Sequence, residues 1–264
     1  MSARHLYLFG RASFYKSLIL MRRYLFNTVA QIVSMYLLFA VMFFGGRQIA
    51  GAAITNSIEG IIVGYFLWML IMSAYSSIAG NINNEAQWGT LEQLYMSPLG
   101  FDRIVGVKTV VNVCVSLFLA STLLGLMVVT MTVVSAGVTL SFDVLTIFPI
   151  LVLTLAPAVG LGYIFGGLAL LYKRVESAFQ LMQFAFIGLI AAPVEQFPAF
   201  KFAPFSLGSY LLREAMSNQK SLLELPTADL ALLAGVAVVY LGVGYGLFRI
   251  IQRKARKRGV LGEY

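Results

Sequence analysis

One cysteine and one histidine in 264 residues leave little for thiol or imidazole chemistry. With Cys114 the sole thiol, no intrachain disulfide can form. With His5 the sole imidazole, no Cys/His metal cage can be built within one chain, and no metal site is expected. Charge is also scarce, at 11% of residues. The sequence contains no H-E-x-x-H, no G-x-S-x-G, and no acid pair or Ser/His combination inside its apolar runs, so hydrolytic and general acid–base chemistry lack the groups they need. No catalytic residue is assigned, and an enzyme is not expected. The nearest approach to a phosphate loop G-x-x-x-x-G-K-[ST] is residues 100–109, and it fails. Gly100 and Gly106 are one residue too far apart, and Val107 intervenes before Lys108. No cofactor is expected on this chain.

Apolar sequence is what the chain has instead. Hydrophobic residues make up 59% and the mean hydropathy is +0.85, too apolar to form a water-soluble surface. A spanning helix needs about 20 mostly apolar residues. Runs of that kind cover 25–45, 58–80, 106–134, 144–172, 177–194 and 230–248, predicting an all-α integral membrane protein with six transmembrane helices. The runs are continuous in Leu, Val, Ile, Phe and Ala and lack the in-out alternation of a barrel strand. Pro149 and Pro157 predict a kink in the fourth.

The formal charge of +8 sorts by side. An even number of spans puts both termini on one side, and the excess of Lys and Arg falls there, so both termini are expected in the cytoplasm of a multi-pass cell-membrane protein. Arg22, Arg23 and the basic residues of 249–258 then meet anionic headgroups, each contributing about 1 kcal/mol. Nucleic acid is not an expected partner; the lipid bilayer is. No small-residue cleavage pattern follows the first run, so a retained first helix is expected.

Residues 6–24 mix apolar Leu6, Phe9, Phe14, Leu18 and Met21 with basic Arg11, Lys16, Arg22 and Arg23, the pattern of an amphipathic helix lying on the inner leaflet. The alternative is an unstructured tail. Residues 195–229 interleave Pro198, Pro204 and Pro226 with apolar pieces such as 205–216, each too short to cross and too apolar for a free loop. Short helices that re-enter the outer leaflet or cap the bundle are predicted there. Gly162/Gly166 and Gly242/Gly246 are G-x-x-x-G pairs, read as close helix packing within the chain, with dimerisation as the alternative.

An ion-coupled carrier leaves ionisable groups deep in the membrane. Here Glu59, Glu176 and Asp229 fall at span ends, and mid-span positions hold only neutral polar groups. Asn27, Gln31, Ser34, Asn112, Gln180 and Gln183 are the candidate path-lining residues, with hydrogen bonding between helices as the competing role.

Residues 84–98, NEAQWGTLEQLYMSP, are polar and helix-forming between apolar runs. Glu85, Trp88 and Glu92 fall on one helical face at i, i+3 and i+7, with Leu91, Leu94 and Tyr95 on an adjoining face, and Ser97-Pro98 ends the element. At this point the chain resembles the membrane subunits of type-2 ABC exporters, whose first cytoplasmic loop carries a pattern like E-x-x-x-G-T-L-E-x-L-x-x-x-P. Glu85, Gly89, Thr90, Leu91, Glu92, Leu94 and Pro98 stand at those places. A second, looser pattern around N-P-L-x-x-x-x-x-x-R resembles 204–213, with Pro204 and Arg213 in place and Ala203 where Asn is frequent.

The resemblance implies a permease, homodimeric or heterodimeric with a like subunit, that forms the substrate path and is driven by a separate cytosolic nucleotide-binding ATPase subunit holding ATP and Mg. It implies that Glu85 and Glu92 supply the polar contacts to that subunit, Trp88 and Tyr95 its wedge, and Gly89 the close approach, with Pro204 and Arg213 near an outer gate. An ATP-independent carrier or channel and a membrane scaffold subunit are the rival readings. The cargo stays open among drugs, lipids and lipid-linked glycans.

Overall fold

The computed structural model describes residues 3–50, 58–87, 91–134, 140–172 and 176–258. Its helices are α1 Ala3–Arg23, α2 Leu25–Ala50, α3 Ile58–Gln87, α4 Leu91–Met96, α5 Phe101–Val134, α6 Val144–Leu171, α7 Glu176–Ile190, α8 Ser206–Ser217 and α9 Thr227–Arg258, with a 3-10 turn at Pro198–Phe202. No strand occurs among the described residues.

Five helices are long and apolar enough to cross a bilayer, through Leu25–Gly45, Ile58–Ile82, Phe101–Val134, Val144–Leu170 and Thr227–Ala255. Large apolar side chains face outward from them, with Phe26 90%, Val133 81% and Leu145 80% exposed. Lipid satisfies such a surface and water does not. The chain is an all-α, multi-pass membrane protein.

The run predicted over 177–194 is shorter than expected. Its helix ends at Ile190, and the 15 residues of α7 rise only about 22 Å, against about 30 Å of hydrocarbon. Pro193 accounts for the difference, because it biases Ala192 out of the helical region and the chain turns there. The last carbonyls of α7 are not left bare. Ser206 Oγ donates to Leu189 O and Ser209 Oγ to Ile190 O, each at 2.7 Å.

Both hydroxyls belong to α8, the amphipathic part of the 195–229 insert, which buries Leu207, Leu211, Leu212, Ala215 and Met216. Its own carboxyl end is capped in turn by Ser141, whose N–H reaches Met216 O at 2.8 Å and whose Oγ reaches Ala215 O at 2.9 Å. The insert therefore packs over one end of the bundle. α6 starts close by at the N-cap Asp143, whose carboxylate accepts from Leu145 N at 3.1 Å. Pro149 and Pro157 both lie inside α6, which is assigned as one helix.

α3 is the central helix, with 61% of its most apolar window buried against 11% for α2. α6 packs on it through Gly162 and Gly166, where an added Cβ would lie 2.8 Å from Tyr75 O and 2.9 Å from Ile78 Cγ2. This is the close intrachain approach read from that motif. The second motif is corrected: Gly242 and Gly246 have nothing within 4 Å of an added Cβ. The close crossing of α9 on α6 uses Gly244 instead, where a Cβ would lie 2.1 Å from Gly160 O, while one on Gly160 would lie 2.3 Å from Tyr240 O. Two positions along a helix differ by roughly 200° in direction, so 242/246 and 244 look opposite ways.

α1 packs along α5, where a Cβ added at Gly10 would lie 3.4 Å from Val107 Cγ1, and leaves Tyr7, Tyr15 and Ile19 exposed. Near the end of α9, Arg249 Nε bonds Asp102 Oδ2 at the start of α5, 3.3 Å away. The N-terminal helix and the carboxyl end of α9 thus share one end of the bundle. The insert occupies the other.

Candidate functional site

The predicted single helix over 84–98 is two elements. α3 runs through its apolar part and continues in polar sequence to Gln87, so Asn84 and Glu85 sit in its last turns; α4 begins at Leu91. Glu85 pairs with Lys108 of α5 at 2.7 Å, and its side chain is only 17% exposed. Part of its carboxylate is thereby spent on bracing α3 against α5. Trp88, Gly89 and Thr90 lie outside the described residues. Leu91 and Glu92 belong to the first turn of α4, and their side chains also fall outside the description.

The rest of α4 faces two ways. Leu94 and Tyr95 turn inward onto a cluster of Phe101, Val105, Tyr163 and Phe248. Tyr95 stacks on Phe101 with centroids 4.2 Å apart and planes 10° from parallel, and Phe101 stacks on Phe248 at 6.2 Å. This aromatic column joins α4 to α5 and α9, and Tyr163 adds α6 at 5.3 Å from Phe248. Tyr95, expected as part of a wedge for a partner, is an anchor within the chain. Outward, Gln93, Met96 and Pro98 are exposed. The return into α5 is a tight turn, with Gly100 N–H bonded to Ser97 O at 3.1 Å. Gly100 has φ +81°, a left-handed conformation that only glycine adopts without strain.

Deeper in the bundle, two of the six candidate path residues converge. Gln31 of α2 and Gln183 of α7 line a cavity of about 330 Å³ together with Ser73 and Ser76 of α3 and Ser116 of α5. The Ser73 and Ser116 hydroxyls hydrogen-bond to each other. Trp68 also lines this cavity, and its Nε1 is buried without a partner. Asn27, Gln31 and Ser34 form an exposed polar stripe on α2 at i, i+4 and i+7. Gln180 is exposed on α7, and Asn112 is half-buried one turn before Ser116, outside the cavity lining. Trp68, Ser76 and Ser116 were not singled out from sequence; the Asn112/Ser116 spacing on one helical face was the available signal.

At the opposite end from α4, Pro204 lies half-buried in the turn that leads into α8, followed by buried Phe205 at φ 73°. Arg213 of α8 points toward α3, where Gly60 and Gly64 leave room for its guanidinium.

No protein-family model matches this chain, and no curated protein matches it in sequence. Among the described residues no cluster of His, Cys, Asp or Glu has the arrangement of a metal site.

Proposed function

We propose that this chain is the permease subunit of a type-2 ABC exporter in the cell membrane, with both termini cytoplasmic and ATP hydrolysis in a separate subunit that holds ATP and Mg. In this reading α7 and the insert together make the sixth crossing. The observation that carries it is α4, a short helix between two spanning helices whose inner side is clamped by Tyr95 onto Phe101 and Phe248 while Gln93 and Met96 stay exposed. A displacement of α4 is transmitted directly to α5 and α9, because packed aromatic rings do not compress. Docking on the ATPase falls to 88–92 and to the exposed side of α4, with Glu92 as the acidic contact. Glu85 acts through its bridge to Lys108.

The polar stripe Asn27, Gln31 and Ser34 supports the dimer. Polar groups facing hydrocarbon are costly, so this side of α2, beside the Gln31/Gln183 cavity, is better placed against a like surface that encloses a path. Homodimer and heterodimer serve equally. ATPase closure would then rock the spans between inward-open and outward-open states as rigid bodies.

The test is co-purification with the ATPase subunit and ATP-driven efflux. Glu92→Lys is expected to lose the ATPase while the membrane domain keeps its elution volume and thermal stability. Undiminished coupling in Glu92→Lys together with Met96→Asp, or vectorial transport by the isolated chain without ATP, refutes the proposal.

A further inference from the structure

Arg213, on the insert, is a buried cation that the fold alone does not explain. Its Nε is buried without a hydrogen-bond partner, and Nη2 has only a long 3.4 Å contact to Ile190 O. None of the ion pairs among the described residues includes it. An unpaired cation in an apolar setting is expensive, and such arginines in membrane domains mark sites that meet an anion.

Its surroundings define what kind of anion. Arg213 stands at one end of an apolar slot of about 250 Å³ between α2, α3 and α7, lined by Phe39, Met42, Ile61, Tyr65 and Ile187. The cation is shallow: Gly60, beside it, is the third residue of α3. The slot then runs along α3 as far as Trp68, about 12 Å deeper at 1.5 Å per residue. Gly64 keeps the passage open, since an added Cβ there would already touch Arg213 Nη2 at 3.5 Å. A charged group at headgroup depth above a dry channel matches an amphiphile with an anionic head and a hydrocarbon tail, and a guanidinium fork matches phosphate oxygens in particular.

We propose that this slot binds a phosphate-headed lipid, with the phosphate on Arg213 and an acyl chain laid along α3 between Gly64 and Trp68. Trp68 also borders the Gln31/Gln183 cavity, so a lipid in the slot lies next to the polar lining. The proposal does not depend on the exporter reading.

Trp68 provides the probe. The full chain carrying Trp88→Phe is placed in phosphatidylcholine nanodiscs, and quenching of Trp68 fluorescence is titrated with phosphatidic acid or phosphatidylcholine bearing brominated acyl chains. Quenching by phosphatidic acid is expected to saturate at low mole fraction, whereas phosphatidylcholine follows its bulk fraction. Arg213→Gln is expected to weaken the phosphatidic acid preference by about tenfold or more, the range for a charge-assisted hydrogen bond. Gly64→Leu keeps the cation and fills the slot, so it decides the matter should Arg213→Gln fail to fold, and it is expected to abolish saturation. Equal quenching by the two lipids, or a preference that survives Gly64→Leu, overturns the proposal. Displacement of the lipid by millimolar inorganic phosphate would identify a free-anion site and overturn it as well. No ATPase enters the assay, so failure here leaves the exporter reading standing.

Discussion

Replacing Gly160 by alanine should be among the most damaging single-methyl additions in this protein. The new carbon would sit 2.3 Å from Tyr240 O and 2.7 Å from Tyr240 C. Both are backbone atoms, so no side chain can rotate away, and α9 must withdraw by more than 1 Å to reach ordinary contact distance. Overpacking of this kind costs about 1–3 kcal/mol. Alanine recovers up to about 1 kcal/mol of helix propensity, so the net loss is expected at about 0–2 kcal/mol, and the gap to a glycine-to-alanine change without a clash at about 1–3 kcal/mol. Gly242→Ala is the matched control on α9, where nothing lies within 4 Å, and it should be neutral or slightly stabilising. Gly244→Ala meets Gly160 O at 2.1 Å and should resemble Gly160→Ala. The double variant should cost less than the sum, because one outward step of α9 relieves both clashes. Reversible unfolding in mixed detergent micelles measures these differences. Gly160→Ala as stable as Gly242→Ala would refute the reasoning.

Three further outcomes follow from the described contacts. Glu85→Lys and Lys108→Glu should each lower thermal stability by about 1 kcal/mol, and the combined swap should restore most of it, because the pair is half-shielded from solvent. Tyr95→Ala removes the stack on Phe101, with an aromatic term of about 0.5–1.5 kcal/mol beyond lost area; limited proteolysis should then cut faster between residues 88 and 98 while the unfolding midpoint of the spans moves little. Ser209→Ala leaves Ile190 O without its 2.7 Å donor at a cost of about 1–3 kcal/mol, and Ser209→Thr should retain most of the lost stability if the hydroxyl is what matters.

The spanning helices were legible because hydrocarbon demands unbroken apolar sequence, and Leu25–Gly45 coincides with its predicted run. What hydropathy does not report is where a helix stops once it leaves lipid. Asn81, Asn83 and Asn84 end the apolar run yet continue α3, which moves Glu85 from the loop helix to the end of a span and toward Lys108. The opposite error occurred over 191–194, where the sequence stays apolar but Pro193 and the donors on α8 end the helix.

Side-chain direction was partly legible. Leu94 and Tyr95 share an inward face as their spacing predicts, but the rings that receive Tyr95 come from Phe101 and from Phe248, far along the chain, and no local pattern reports that meeting. The same holds for Gln31 and Gln183. Each stands out as a polar exception in an apolar run, and only the packing of α2 and α7 brings them to one cavity.

The hydroxyl that closes α7 is made late. Ile190 O waits for Ser209, nineteen residues further along the chain, and through that interval of synthesis the helix end would be open to lipid if it were released sideways. The end of α7 and the start of α8 are thus one hydrogen-bonded unit, and a released chain that stops before Ser206 should hold α7 less stably than the full chain, read by limited proteolysis.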